Sequence, residues 1–164
     1  MCTNLLEAVR SFHVIVVTND AEVEQWAQQQ HVDVVNPDAV GLNVAADAAR
    51  AWARDHHREQ IVIVHSDVPR PEALPLVCAL GGIAIVPDHQ RNGTNVFSLP
   101  VQADVEFSYG EGSFQRHVTR ASAAARQTPC KLHIVRHHQL WLDLDPPNDV
   151  AHPVAAPALK EFLS

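Results

Sequence analysis

The chain has 164 residues, 46% of them hydrophobic, and 12 basic against 19 acidic residues give a formal charge of −7. That length fits one domain with a substantial core, and an acidic balance with no Lys/Arg cluster argues against a nucleic-acid footprint. No apolar run approaches the ~20 residues that span a bilayer, no signal-peptide order opens the chain, and Cys2, Cys78 and Cys130 lack zinc spacing, so a soluble cytoplasmic protein without membrane or nucleic-acid partners is expected.

Residues 3–10, "TNLLEAVR", read as the last turns of a helix, so the chain either enters its fold in mid-unit or simply begins with a helix. "HVIVVT" (13–18) reads as a buried strand, and Asn19 with Glu22 three residues on forms a capping box for the helix "AEVEQWAQQQ". "VDVV" (32–35) is a second strand, followed by a turn from Pro37 to Gly41 and the alanine-rich helix "LNVAADAARAWARD" (42–55). "IVIVH" (61–65) is a third strand, with a helix beginning around Pro71. Beyond it come strands "GIAIVP" (82–87) and "VFSL" (96–99), a helix around 114–126, the strand "KLHIV" (131–135) and a Pro-rich tail ending in a short helix. Near-continuous Val/Ile runs point to strands covered on both faces, which makes this an α/β chain with a mostly parallel sheet between helical layers.

Polar chemistry gathers at strand ends. Asp67 follows a buried strand, at the edge where open α/β sheets bind ligands, although an aspartate there also suits an ordinary helix N-cap. Asp143 and Asp145 in "WLDLDPPNDV" are two apart, so on an extended segment both face one way while Leu142 and Leu144 face the other. Such paired carboxylates suit a hard cation, and Mg²⁺ takes one or two carboxylates together with water and substrate phosphates. Asp149 reads as a helix-start residue. "GTN" (93–95) and "YGEGSFQRH" (109–117) read as anion-binding loops in which Gly93, Gly110 and Gly112 let backbone approach a ligand, although each loop alone also suits a plain turn. His117, one turn after Ser113, either orients that loop or is an exposed or capping histidine. The pairs His56–His57 and His137–His138 read as surface.

Taken together, "GLN" (41–43), "SDVP" (66–69), "VPDHQRNGTN" (86–95), "YGEGSFQRH" (109–117) and "DLDPPNDV" (143–150) resemble the 2-phospho-L-lactate or phosphoenolpyruvate guanylyltransferase family of coenzyme F420 biosynthesis. The resemblance covers about residues 3 to 151 and implies a single Rossmann-like nucleotidyltransferase domain over 1–164, a three-layer sandwich of the nucleotide-diphospho-sugar transferase kind. It implies transfer of GMP from GTP to phosphoenolpyruvate or 2-phospho-L-lactate with release of pyrophosphate. Arg70 in "SDVPR" looks most like bacterial members, which favours phosphoenolpyruvate. Residue by residue, Asp67, Asp143 and Asp145 would hold catalytic Mg²⁺, and Thr94, Gly110 and Ser113 would hold the acid through hydroxyl and backbone N–H contacts. Gly41, Leu42 and Asn43 would lie beside the nucleotide, and a homodimer is implied at family level.

The chain departs from that family at its start, where members usually have a strand and a basic loop gripping the triphosphate; it therefore reads as N-terminally shortened. Two alternatives follow: a non-catalytic remnant that keeps the acid-phosphate site, or a nucleotidyltransferase with a different phosphorylated acceptor. The "GTN" and "YGEGS" pair argues against the second.

Overall fold

The structure is a computed structural model and describes residues 2–141. Its elements, in chain order, are α1 (Cys2–Ala8), β1 (Ile15–Val17), α2 (Ala21–Gln29), β2 (Asp33–Val35), α3 (Leu42–Asp55) and β3 (Gln60–Val64). A 3-10 turn at Pro71–Ala73 leads into α4 (Leu74–Cys78), and β4 (Ile83–Pro87), β5 (Thr94–Pro100), α5 (Ser113–Gln127) and β6 (Leu132–Ile134) follow. The Pro-rich tail with its expected helix, and with it Asp143, Asp145 and Asp149, lies outside the described residues.

Local chemistry explains the element ends. Helix α2 is capped by Asp20 rather than by the expected Asn19: the Asp20 carboxylate accepts from Glu22 N–H at 2.8 Å and Val23 N–H at 3.1 Å. Asp20 stands directly before the first helical residue in an extended conformation, and its negative charge also complements the positive end of the helix dipole. Helix α3 has the limits its alanine pattern predicts, with Ala46, Ala49 and Ala53 buried along one stripe.

The strands form a parallel pair, β1–β2, and a four-stranded sheet of order β3-β5-β4-β6. In the larger sheet β5 runs antiparallel to both β3 and β4, while β4 and β6 are parallel, so three of its strands share one direction and β5 alone is reversed. The six residues from Asp88 to Gly93 are too few for a parallel crossover, which needs a dozen or more, and they close a hairpin instead.

Alternation along the strands divides the core into two layers. Ile83, Ile85, Phe97 and Leu99 face a layer shared with Ala46, Ala49 and Ala53 of α3 and with Phe114, Ala121 and Ala124 of α5. Ala84, Val86 and Val96 face the opposite layer, with Val9 after α1, Leu74 and Val77 of α4, and Leu140. Helices thus cover both sides of the sheet, in the three-layer arrangement expected. Burying a side chain such as Phe97, which is fully enclosed, contributes roughly 2–3 kcal/mol. Every residue of β4 is buried, whereas the equally apolar β1 and most of β3 are only partly covered. No helix among the described residues is long and apolar enough to cross a membrane.

Candidate active site

Strand register brings the polar loops to one edge of the sheet. Val64 at the end of β3 lies opposite Val96, and beyond it His65 N–H donates to the Asn95 carbonyl at 3.3 Å. Thr94 at the start of β5 pairs with Pro87 at the end of β4. The turn holding Asp67 therefore leaves the sheet beside Thr94, at the carboxyl ends of β3 and β4. Asp67 is part-buried and is not the cap of the following 3-10 turn, whose N-cap position is Arg70.

Thr94 is 2% exposed, and its hydroxyl sits within a network set by His117. His117 Nε2 accepts from the Ser108 backbone N–H at 2.9 Å, so the ring proton resides on Nδ1, which donates to Thr94 Oγ1 at 3.0 Å. Ser113 Oγ donates to the same oxygen at the long distance of 3.5 Å. With its oxygen accepting from these neighbours, the Thr94 hydroxyl proton is not used in either bond. His117 is fully buried, and that burial, reinforced by Arg116, Arg120 and His65, lowers its pKa to about 4. It is therefore neutral at physiological pH, as the tautomer requires. Of the roles open to His117 in the sequence, orienting the loop is the one its placement supports; it is neither exposed nor a cap. The signal was its position on the stripe of buried α5 residues formed with Phe114, Ala121 and Ala124.

Two loops clasp each other around this network. Asp88 closes the hairpin turn by accepting from Asn92 N–H at 2.8 Å and Gly93 N–H at 2.6 Å. A Cβ at position 93 would lie 2.8 Å from Asp88 Oδ2, so the glycine serves this turn. Asn92 in turn accepts from Gly112 N–H through its side chain, at 3.0 Å, and from Phe114 N–H through its carbonyl, at 3.1 Å. Ser113 N–H donates to the Gly110 carbonyl at 2.9 Å. The Ser113 and Phe114 amides at the start of α5 are thus already engaged, so of the groups expected to form an anion cradle the Thr94 and Ser113 hydroxyls and the loop at Gly110 remain as candidates. Arg116 fastens that loop by donating to the carbonyls of Ser108, at 2.9 Å, and Glu111, at 2.6 Å.

Helix α3 holds the same loop from the other side. Tyr109 N–H donates to Asn43 Oδ1 at 2.6 Å, and Asn43 Nδ2 lies 3.5 Å from the Tyr109 carbonyl. Gly41, the N-cap of α3, and the exposed Leu42 accompany Asn43 to this edge. Three residues unassigned in the sequence complete the surroundings: the Tyr109 ring lies 5.4 Å from His65 and 4.8 Å from His117, while Asn95 Nδ2 donates to the Leu140 carbonyl at 3.2 Å. Among the described residues the buried atoms His65 Nε2, Tyr109 Oη and Ser108 Oγ have no hydrogen-bond partner, which is costly unless a ligand or water supplies one. Burial also pushes the Tyr109 phenol well above its usual range, so it remains a neutral donor. Among the described residues, no three His, Cys, Asp or Glu side chains gather as a metal cluster.

The fold is shared with solved structures. A protein of Desulfovibrio desulfuricans G20 described as a nucleotide-diphospho-sugar transferase superimposes with TM-score 0.65 at 15% identity, over 97% of this chain and 78% of that one. Molybdopterin-guanine dinucleotide biosynthesis protein A of Archaeoglobus fulgidus gives TM-score 0.52 at 13% identity, over 97% and 83%. The architecture is accordingly that of the nucleotide-diphospho-sugar transferases and the nucleotidyltransferases that share their fold. More narrowly, the family described as guanylyl transferase CofC like matches residues 1–154, and the chain belongs to it. It is 34% identical over 142 residues to the phosphoenolpyruvate guanylyltransferase of Sphaerobacter thermophilus, covering 84% of this chain and 67% of that protein. It is 29% identical over 144 residues to the enzyme of the same name from Rubrobacter xylanophilus, covering 84% and 68%. The chain spans about two thirds of the length of these relatives, and the family resemblance drawn from its motifs is borne out.

Proposed function

We propose that this chain is a phosphoenolpyruvate guanylyltransferase, joining GMP from GTP to the phosphate of phosphoenolpyruvate in coenzyme F420 biosynthesis, in the cytoplasm. Family membership supports the reaction class, and the similarity to named phosphoenolpyruvate enzymes supports that acid over 2-phospho-L-lactate. The observation that carries the reading to particular residues is the Thr94 hydroxyl, buried at the sheet edge with its oxygen accepting from neutral His117, which leaves its hydrogen for the acid's phosphate.

In the reaction an oxygen of the acid's phosphate attacks the α-phosphorus of GTP in line. A new P–O bond forms, the bond to the bridging α–β oxygen breaks, and pyrophosphate leaves with the bonding electrons. No protein nucleophile is needed, because positioning and charge neutralisation supply most of the rate. Thr94 and Ser113 hold the acid's phosphate, and the loop at Gly110, braced by Arg116 and Asn43, sets its distance from Asp67. Gly41, Leu42 and Asn43 flank the nucleotide.

Asp67 has the hard, anionic oxygen donors that Mg²⁺ prefers, and Asp143 and Asp145 would join it. Asn95, next to Thr94, donates to the carbonyl of Leu140, which stands three residues before Asp143 in the sequence. When bound, Mg²⁺ offsets the negative charge of the triphosphate.

Pyrophosphate release from GTP and phosphoenolpyruvate tests the proposal. Asp67→Ala should lower turnover by roughly a hundredfold or more, and unchanged turnover in that variant would remove Asp67 from the site. Titrating GTP and phosphoenolpyruvate separately tests the non-catalytic alternative, which requires binding of the acid and none of GTP.

A further inference from the structure

The turn between β4 and β5 carries a cation beside the candidate active site. Arg91 stands three residues before Thr94 and has φ 60°, the left-handed region that a Cβ disfavours and glycine enters freely. Its backbone is held there. Arg91 N–H donates to the Asp88 carbonyl at 3.1 Å, and the Asp88 carboxylate accepts from the next two amides, those of Asn92 and Gly93. Asn92 ties the turn to the entrance of α5 through Gly112 and Phe114. The exposed Arg91 side chain places its guanidinium carbon 5.7 Å from the centre of the Phe114 ring, within cation–π range. Phe114 is buried and directly follows Ser113, so the cation is anchored next to the residue whose hydroxyl approaches that of Thr94. An unfavourable backbone conformation that fixes a charged side chain beside a site points to a use for that side chain.

We propose that Arg91 binds the carboxylate of the three-carbon acid and so distinguishes this acceptor from a phosphate without one. The inference rests on the reaction proposed above. Strand order gives the direction. Asp67 follows β3, Thr94 opens β5, and the turn with Arg91 leaves β4 and is tied to α5, which packs on β4, β5 and β6. With the strands ordered β3-β5-β4, Asp67 and Arg91 flank Thr94 from opposite sides. The acid's phosphate must face GTP and Asp67 from its place at Thr94 and Ser113, which turns the carboxylate, at the acid's other end, toward Arg91. The chemistry agrees. Contact with an aromatic face leaves the N–H groups at the guanidinium edge free, and among the described residues they have no hydrogen-bond or ion-pair partner. Their planar fork matches the two oxygens of a carboxylate. Arg116, the nearest cation on α5, has its N–H groups spent on the carbonyls of Ser108 and Glu111. Arg70 belongs to the turn after β3, with Asp67. The Thr94 and Ser113 hydroxyls are neutral, so Arg91 adds the charge that an anionic acid requires.

Pyrophosphate release by the full chain tests it, with inorganic phosphate as a competitor of the acid that has no carboxylate. Arg91→Gly removes the guanidinium and suits the left-handed turn. Its KM for phosphoenolpyruvate should rise about 10- to 100-fold, the range for a hydrogen bond to a charged group. KM for GTP and inhibition by inorganic phosphate should stay nearly unchanged. Arg91→Lys keeps the charge without the fork and should recover part of the loss. An unchanged KM for phosphoenolpyruvate in Arg91→Gly, an equal rise in the KM for GTP, or an equal loss of phosphate inhibition would overturn the proposal and leave the reaction standing. If the unaltered chain releases no pyrophosphate with this acid, the reaction itself fails and the carboxylate contact falls with it.

Discussion

At the level of single residues, the neutral imidazole of His117 connects fold and site. Its Nε2 is committed to the Ser108 N–H and its proton to Thr94, so the threonine oxygen is an acceptor within the protein and its hydrogen is not used in that bond. Thr94→Val preserves shape and removes that donor. KM for phosphoenolpyruvate should rise about 10- to 100-fold, the range for a hydrogen bond to a charged group, with KM for GTP nearly unchanged; equal effects on both would contradict the assignment. The same histidine couples stability to pH. Its pKa is 6.5 when unfolded and about 4 in the folded chain, so between these values the unfolded state binds a proton that the native state excludes. Its contribution is complete above pH 6.5 and is lost as pH falls toward 4, on the order of 3 kcal/mol. Denaturant midpoints measured across that window should decline, and His117→Gln should flatten the decline.

At the level of elements, the α5 entrance shows how loop geometry is held. Gly112, its N-cap, has φ 72°, and a Cβ there would lie 3.1 Å from Arg116 Nη1. Gly112→Ala should cost about 1 kcal/mol in equilibrium unfolding. It should also weaken acid binding, because Arg116 is pressed away from the carbonyls it holds. Much at this scale was legible in the sequence. The alanine spacing gave the limits of α3, and the hydrophobic runs placed every strand within a few residues. The short span between "IAIVP" and "TNVFSLP" already required β5 to reverse, although strand composition alone suggested a parallel neighbour. The cap of α2 was misplaced by one residue because Asn19 and Asp20 are both good capping types, and only backbone conformation chooses between them. The clasp of Asp88 and Asn92 with Gly112 was not legible, since it joins two loops about 20 residues apart through side-chain and main-chain groups without periodicity. Asp67 could be placed from its strand, while Asp143 and Asp145 lie outside the described residues and retain only their sequence argument.

At the level of the whole molecule, three layers come together with unequal completeness. The sheet formed by β3, β5, β4 and β6 has fully buried central strands, whereas β1 and β2 join it through α3 and the helical layers rather than through strand pairing. The six-residue turn between β4 and β5 therefore has a kinetic meaning. Closing so short a loop costs little chain entropy, and it brings together two strands whose side chains become almost wholly buried, while β3 and β6 must be gathered from farther along the chain. The hairpin is therefore expected to form the nucleus of folding. Conservative truncations within it, such as Val96→Ala, should slow refolding, whereas Val17→Ala in β1 should mainly speed unfolding. Stopped-flow kinetics would separate the two, and the order in which this chain assembles would then follow from the length of a single turn.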